Sequence, residues 1–140
     1  MYDALTVAKY IVTKCVQDGC PISNLQLQKI LYFVQLDSLK QTKLPAFSDD
    51  IEAWKFGPVV PDVYYHFCGF GALPILATYK INQELASNLS LNNVVEQKRE
   101  MDPWDLVEEA HEPGKPWATI FKNGEGNRSV IPIDLIRDIG

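Results

Sequence analysis

Leu5, Ala8, Ile11, Val12 and Cys15 recur at three- and four-residue intervals, so they share one face of a helix over 3–16. Asp3 stands where an N-cap is needed, and 18-DGCP-21 supplies a stop. The next segment, 22–41, opens with Ser23 three residues before Gln26, the spacing of a capping box, with Ile22 and Leu27 placed for a hydrophobic staple. Leu27, Ile30, Leu31 and Val34 form one apolar stripe along it. Leu25, Tyr32, Phe33 and Leu36 widen that stripe until the second helix is apolar over most of its girth, which predicts a central, buried position.

Beyond the connector 42–50 the pattern changes. The stretch 51-IEAWKF-56 mixes alternation with aromatic residues and reads as a short extended piece, after which Gly57 and Pro58 turn the chain. Pro61 suits the first turn of a helix reaching Phe67, and Asp62 complements the helix dipole there. From 73 to 93 the apolar positions follow neither period, which leaves a helix or an irregular connector. Asp102 and Pro103 then open a helix expected to bury Trp104, Leu106 and Val107, and Pro116 heads a short one. After the loop 123–127, a brief extended piece near 129–131 precedes a last helical turn or two. The fold expected is mainly α: one compact helical domain over 1–140, with short extended elements near 51–56 and 129–131. Its 140 residues, 46% hydrophobic, suffice for one core and are few for two.

Charge narrows the choice of partners. Thirteen Lys and Arg against 18 Asp and Glu give a net charge of -5, so the basic footprint of phosphate binding is missing and nucleic acid is not expected as the main partner. Cys15, Cys20 and Cys68 form no CxxC pair and fit free thiols in the cytoplasm. No secretory leader or membrane span is read, and no membrane partner is expected. His66 and Cys68, or His111 and Glu112, match no metal-ligand spacing, and the glycines match no phosphate cradle; no metal or cofactor is expected. A Cys68/His111 dyad is the basis of an enzyme alternative, a small hydrolase or transferase using His111. A second alternative treats the first two helices as a DNA-reading helix-turn-helix, with Asn24, Gln26, Gln28 and Lys29 as readers. Only one of these four is basic, and the girth of the second helix favours a buried αα-hairpin.

The run 52-EAWKFGPVVPDVYYHF-67 gathers a Trp, two Phe, two Tyr and two Pro, a load that closes a core or presents a surface. Together with 25-LQLQKILYFVQ-35 and 111-HEPGKPW-117 it resembles the Panacea domain, the family of SocA-like antitoxins that includes phage-associated GepA-like proteins. The residues carrying the resemblance are Lys29, Tyr32, Glu52, Trp54, Gly57, Pro58, Tyr64, His111, Pro116 and Trp117. The resemblance implies a mainly helical antitoxin without catalytic activity, from a toxin-antitoxin system on a prophage or other mobile element. Such a protein neutralises a cognate toxin encoded beside it by direct contact. A cellular protease or chaperone is a further partner class, and homo-oligomers stay open. Trp54, Val59 and Val63 are expected in the core, with Phe56, Pro58, Tyr64 and Tyr65 as partner-binding candidates. Lys29, Glu52, Trp54, Tyr64, His111 and Trp117 are expected to converge, with a carboxylate or carbonyl as partner for the Lys29 ammonium and Glu52 as first candidate, because an unpaired buried ammonium is costly.

Overall fold

In the computed structural model, which describes all 140 residues, the chain forms eight α-helices and one small sheet. Helix α1 (Ala4–Gln17) starts at Asp3, whose carboxylate accepts the Thr6 N–H at 2.8 Å. Helix α2 (Asn24–Thr42) starts with the capping box read from the sequence, both reciprocal bonds between Ser23 and Gln26 being formed. It ends at Lys43, which takes the left-handed conformation and returns its N–H to Leu39. Every residue from Leu27 to Gln35 is buried. That continuous burial follows from the near-circumferential apolar girth, and it makes α2 the spine of the molecule.

The sheet has strands β1 (Ile51–Trp54), β2 (Gly57–Val59) and β3 (Ser129–Ile131) in the order β2-β1-β3, all pairs antiparallel. Trp54 lies opposite Gly57, so the chain turns at Lys55 and Phe56 and not at Gly57-Pro58 as the sequence suggested. Gly57 leaves the turn with φ +114°, a backbone conformation that L side chains resist, and Pro58 sits on an edge strand where its missing N–H does little harm. Along β1, Ile51 and Ala53 are buried while Glu52 and Trp54 are half-buried, the alternation expected of a strand with one face on the core.

Helix α3 (Pro61–Phe67) has the bounds expected from Pro61 and the following glycines. The unreadable stretch 73–93 contains both of the alternatives it suggested. An irregular connector carries Ile75 into the core, its N–H bonded to the Ile22 carbonyl at 2.8 Å. Helices α4 (Gln83–Ala86) and α5 (Leu89–Lys98) follow, each capped by an asparagine, Asn82 and Asn88. Two caps only six positions apart leave no window long enough for a period to emerge. Helix α6 (Pro103–Ala110) buries Leu106, Val107 and Ala110, but Trp104 in its first turn is 57% exposed, against expectation. Helices α7 (Pro116–Phe121) and α8 (Ile133–Ile139) complete the fold around β3. A cluster of 30 buried hydrophobic residues runs from α1 to α8, and no helix is long and apolar enough to cross a membrane.

Polar side chains on α2 bind the chain that wraps around it. The Gln35 amide donates to the Phe47 carbonyl at 3.1 Å and accepts the Ala46 N–H at 2.7 Å. Gln28 accepts the Val60 N–H at 2.9 Å and donates to Asn24, which in turn donates to the Tyr64 carbonyl at 3.1 Å. These groups satisfy backbone atoms that no regular ladder could reach inside the core, where an orphan is expensive.

Candidate binding groove

The site begins with a fourth polar group on α2. Lys29 is 1% exposed, and its ammonium donates to the Pro58 carbonyl at 3.1 Å. Burial pulls its pKa down to about 7. Space for the stem exists because residue 57 is glycine: a Cβ there would stand 2.8 Å from Lys29 Cε. Helix α2 and the β1-β2 hairpin are thus locked by a lysine, a glycine and a carbonyl.

Above this lock lies a groove of about 430 Å³. Gln28 and Lys29 line it from α2, Trp54, Phe56 and Val59 from the hairpin, Tyr64 from α3, and Lys55 and Arg128 at its edges. The Trp54 indole donates to Glu52 at 2.9 Å, meets Tyr64 edge-on at 5.1 Å between centroids, and carries the Arg128 guanidinium 4.0 Å over its ring. Arg128 also donates to the Tyr65 hydroxyl at 3.1 Å. Three basic side chains line the groove and no carboxylate does, although the whole chain is acidic. A larger cavity of about 680 Å³ lies elsewhere, between the far end of α2 and the α4-α5 region, and none of the motif residues lines it.

The third motif buttresses this wall from behind. The Trp117 indole donates to the Trp54 carbonyl at 2.8 Å. His111 stacks on Trp117 with ring centroids 3.6 Å apart, and Phe121 stacks on it at 4.5 Å. Pro116 sets the start of α7 and so the position of Trp117. His111 Nε2 is buried without a hydrogen-bond partner. Burial lowers the His111 pKa, the nearby Lys29 charge adds to that, and the Phe56 backbone acts the other way.

The motif residues therefore form one connected construction, from Lys29 through Gly57 and Pro58 to Trp54, Glu52 and Tyr64, and on to Trp117 and His111. Tyr32 lies in the core, edge-on to Phe33. Of the carboxylate or carbonyl expected for Lys29 the structure has the carbonyl, that of Pro58, and the choice of Glu52 needs correction, since Glu52 takes the Trp54 indole instead. Val59 and Val63 are in the core as expected, but Trp54 is only half-buried and forms the groove wall. Among the surface candidates Phe56 is 50% and Tyr65 53% exposed, Tyr64 is half-buried, and Pro58 is buried in β2. The DNA-reading residues are not displayed: Asn24, Gln28 and Lys29 are buried and hold their own chain, and Gln26 closes the capping box. Cys68 Sγ faces the Tyr65 carbonyl at 3.1 Å, and His111 is held in its aromatic stack. No three His, Cys, Asp or Glu side chains gather as metal ligands would.

Two residues of this surface were missed in the sequence. Trp104 meets Phe56 edge-on at 5.7 Å, and Arg128 reaches Trp54 from the loop before β3. An exposed Trp just after a helix-opening Asp-Pro, and an Arg closing a Gly-rich loop beside a strand, were the available signals.

Fold and groove together define a small, mainly helical domain that presents aromatic and basic side chains on a preformed surface. The chain belongs to the antitoxin SocA-like, Panacea domain family, whose model matches residues 27–118. That interval contains every residue of the Lys29-to-Trp117 construction. The chain is also 34% identical over 140 residues to "Antitoxin SocA" of Caulobacter vibrioides (strain NA1000 / CB15N), covering 89% of this chain and 72% of the relative. No solved structure matches it.

Proposed function

We propose that this chain is an antitoxin that neutralises a toxin encoded beside it by direct protein contact, docking the toxin on the aromatic rim of the groove. The observation that carries the reading is the exposure of three large aromatic side chains around the groove: Phe56 and Trp104, which meet edge-on, and Tyr65 beside Trp54, each at least half exposed. Interfaces draw their energy from a few such anchors, and anchors held by a two-residue turn and a helix start lose little entropy on binding. Family membership supports a toxin as the partner, and a charge of -5 would speed encounter with a basic one.

Co-expression with the product of the adjacent reading frame tests this. The wild-type chain restores growth and co-purifies with that product. The Phe56→Ala, Trp104→Ala double variant loses rescue while its stability falls by no more than about 2 kcal/mol, the loss of one edge-on ring pair between half-exposed side chains. Failure of the wild-type chain to rescue or to form a complex would sink the proposal. Rescue that survives the double variant would move the interface off this rim, with the acidic stretch at Glu108 and Glu109 on α6 and Glu112 just beyond it next to be examined.

A further inference from the structure

The groove holds an asymmetry that docking on aromatic anchors alone does not use. Its floor contains an ammonium, and its edges carry two more cations. Lys29 offers three N–H donors, and the protein supplies one acceptor, the Pro58 carbonyl. Beside it the Gln28 amide accepts from Val60 and donates to Asn24, and no hydrogen bond joins it to Lys29. The Arg128 guanidinium lies over the Trp54 ring with only a tyrosine hydroxyl as hydrogen-bond partner, and Lys55 lies 5.5 Å from the Phe56 ring centroid. None of the three makes a salt bridge, although seven salt bridges occur elsewhere in the molecule. A buried amine with spare donors, which an adjacent carboxylate would hold protonated, flanked by aromatic walls, is complementary to a carboxylate carried next to a flat or branched apolar group.

We propose that the groove is a carboxylate-binding site that receives an acidic side chain of the protein partner, with Lys29 at its floor, Arg128 at its rim and Trp54 and Tyr64 as walls. This rests on the antitoxin reading for the identity of the partner, but not for the chemistry of the groove. The occupying residue is an Asp or Glu with an apolar neighbour to lie against Trp54. The basic groove thus selects a local acidic feature on a partner that the acidic surface as a whole attracts by its basic charge.

Binding is tested on the full chain with phenylacetate as the probe, phenylacetamide as its neutral counterpart and inorganic phosphate as a second anion. Each is followed by amide and indole NMR shifts. Phenylacetate is expected to bind with a dissociation constant on the order of 1 mM, shifting the Trp54 indole and the residues around Lys29. Phenylacetamide and phosphate bind at least about tenfold more weakly, the loss expected when a charge-assisted pair is removed. Lys29→Met keeps the stem and loses the binding. Because it also strips Pro58 of its donor, Arg128→Gln on the exposed rim serves as the second variant, with a weakening of about threefold to tenfold. Equal binding of phenylacetamide, a preference for phosphate, shifts mapping away from the groove, or unchanged affinity in both variants would each overturn the inference. Growth rescue separates the two readings. A wild-type chain that binds phenylacetate and rescues no neighbour refutes the antitoxin role and leaves the site. An Arg128→Gln chain that has lost phenylacetate and still rescues fully refutes the carboxylate contact and leaves the antitoxin role.

Discussion

An ammonium taken out of water and given one carbonyl is a cost to the fold, and Lys29 carries that cost into the centre of the site. Its pKa is 10.5 as an ordinary lysine and about 7 in place. Between those values the unfolded chain holds the proton more firmly than the folded one, so stability rises with pH across the window and is flat for this group below it. The contribution gained cannot exceed about 5 kcal/mol, at 1.36 kcal/mol per pH unit, and water reaching the groove will reduce it. Urea midpoints measured from pH 7 to about pH 9.5, below ordinary tyrosine ionisation, should climb relative to those of Lys29→Met, in which the Cys15 thiol, pushed up by burial, draws stability down as pH rises. Equal slopes would mean that Lys29 stays charged throughout. Gly57 is the partner of this choice, since its φ of +114° and the 2.8 Å approach of Lys29 Cε leave no room for a methyl group. Gly57→Ala should therefore destabilise by about 1–3 kcal/mol from backbone strain alone, with the displaced lysine adding to it. A midpoint unchanged by Gly57→Ala would show that the hairpin relaxes away from α2.

Among the elements, those with local signals were legible, the extended pieces that became β1 and β3 included, and β2 was not. Asp3, Ser23 with Gln26, and Pro61 mark helix starts through bonds or dihedrals that lie within a few residues, so α1, α2 and α3 could be placed from the chain itself. Strand β2 could not, because Gly57 and Pro58 are turn formers by local chemistry and become strand only by pairing with Trp54 and Ala53. Asn24, Gln28 and Lys29 posed a sharper ambiguity. An amide on a helix looks the same in sequence whether it faces a nucleic acid or the backbone of its own chain. The excess of apolar girth on α2 was the evidence for the inward direction. Their load is measurable at Gln28, which holds the Val60 N–H. Gln28→Leu leaves that N–H and the side-chain amide oxygen of Asn24 without partners, at a cost of about 1–3 kcal/mol. Hydrogen exchange at the Val60 amide should accelerate more than at amides of α1. If Val60 stays as protected as in the wild type, another acceptor has replaced Gln28 and α2 is a weaker staple than its contacts suggest.

At the scale of the whole molecule, the question is whether the groove side and the helical side are one unit or two. All three tryptophans lie on the groove side: Trp54 in its wall, Trp117 bonded behind it and Trp104 against Phe56 at its rim. Most of the helix lies elsewhere, above all in α1, α2 and α5. Tryptophan fluorescence and far-ultraviolet circular dichroism therefore report different halves of the structure. Peeling the hairpin and α3 off α2 would strand the Lys29 ammonium, the Val60 N–H and the Tyr64 carbonyl together. The apolar cluster also joins β1, β3 and α2 without a seam. We expect residues 1–140 to unfold as a single cooperative domain, with the two urea transitions superimposed. Phe67 on α3, 1% exposed, is the control: Phe67→Ala should shift both curves by the same amount, about 3–5 kcal/mol. A fluorescence transition that precedes the dichroism, or a Phe67→Ala variant that moves only one of them, would mean that the groove side opens by itself. The binding surface would then be a mobile flap and not the preformed mount that the aromatic anchors and the carboxylate site both require.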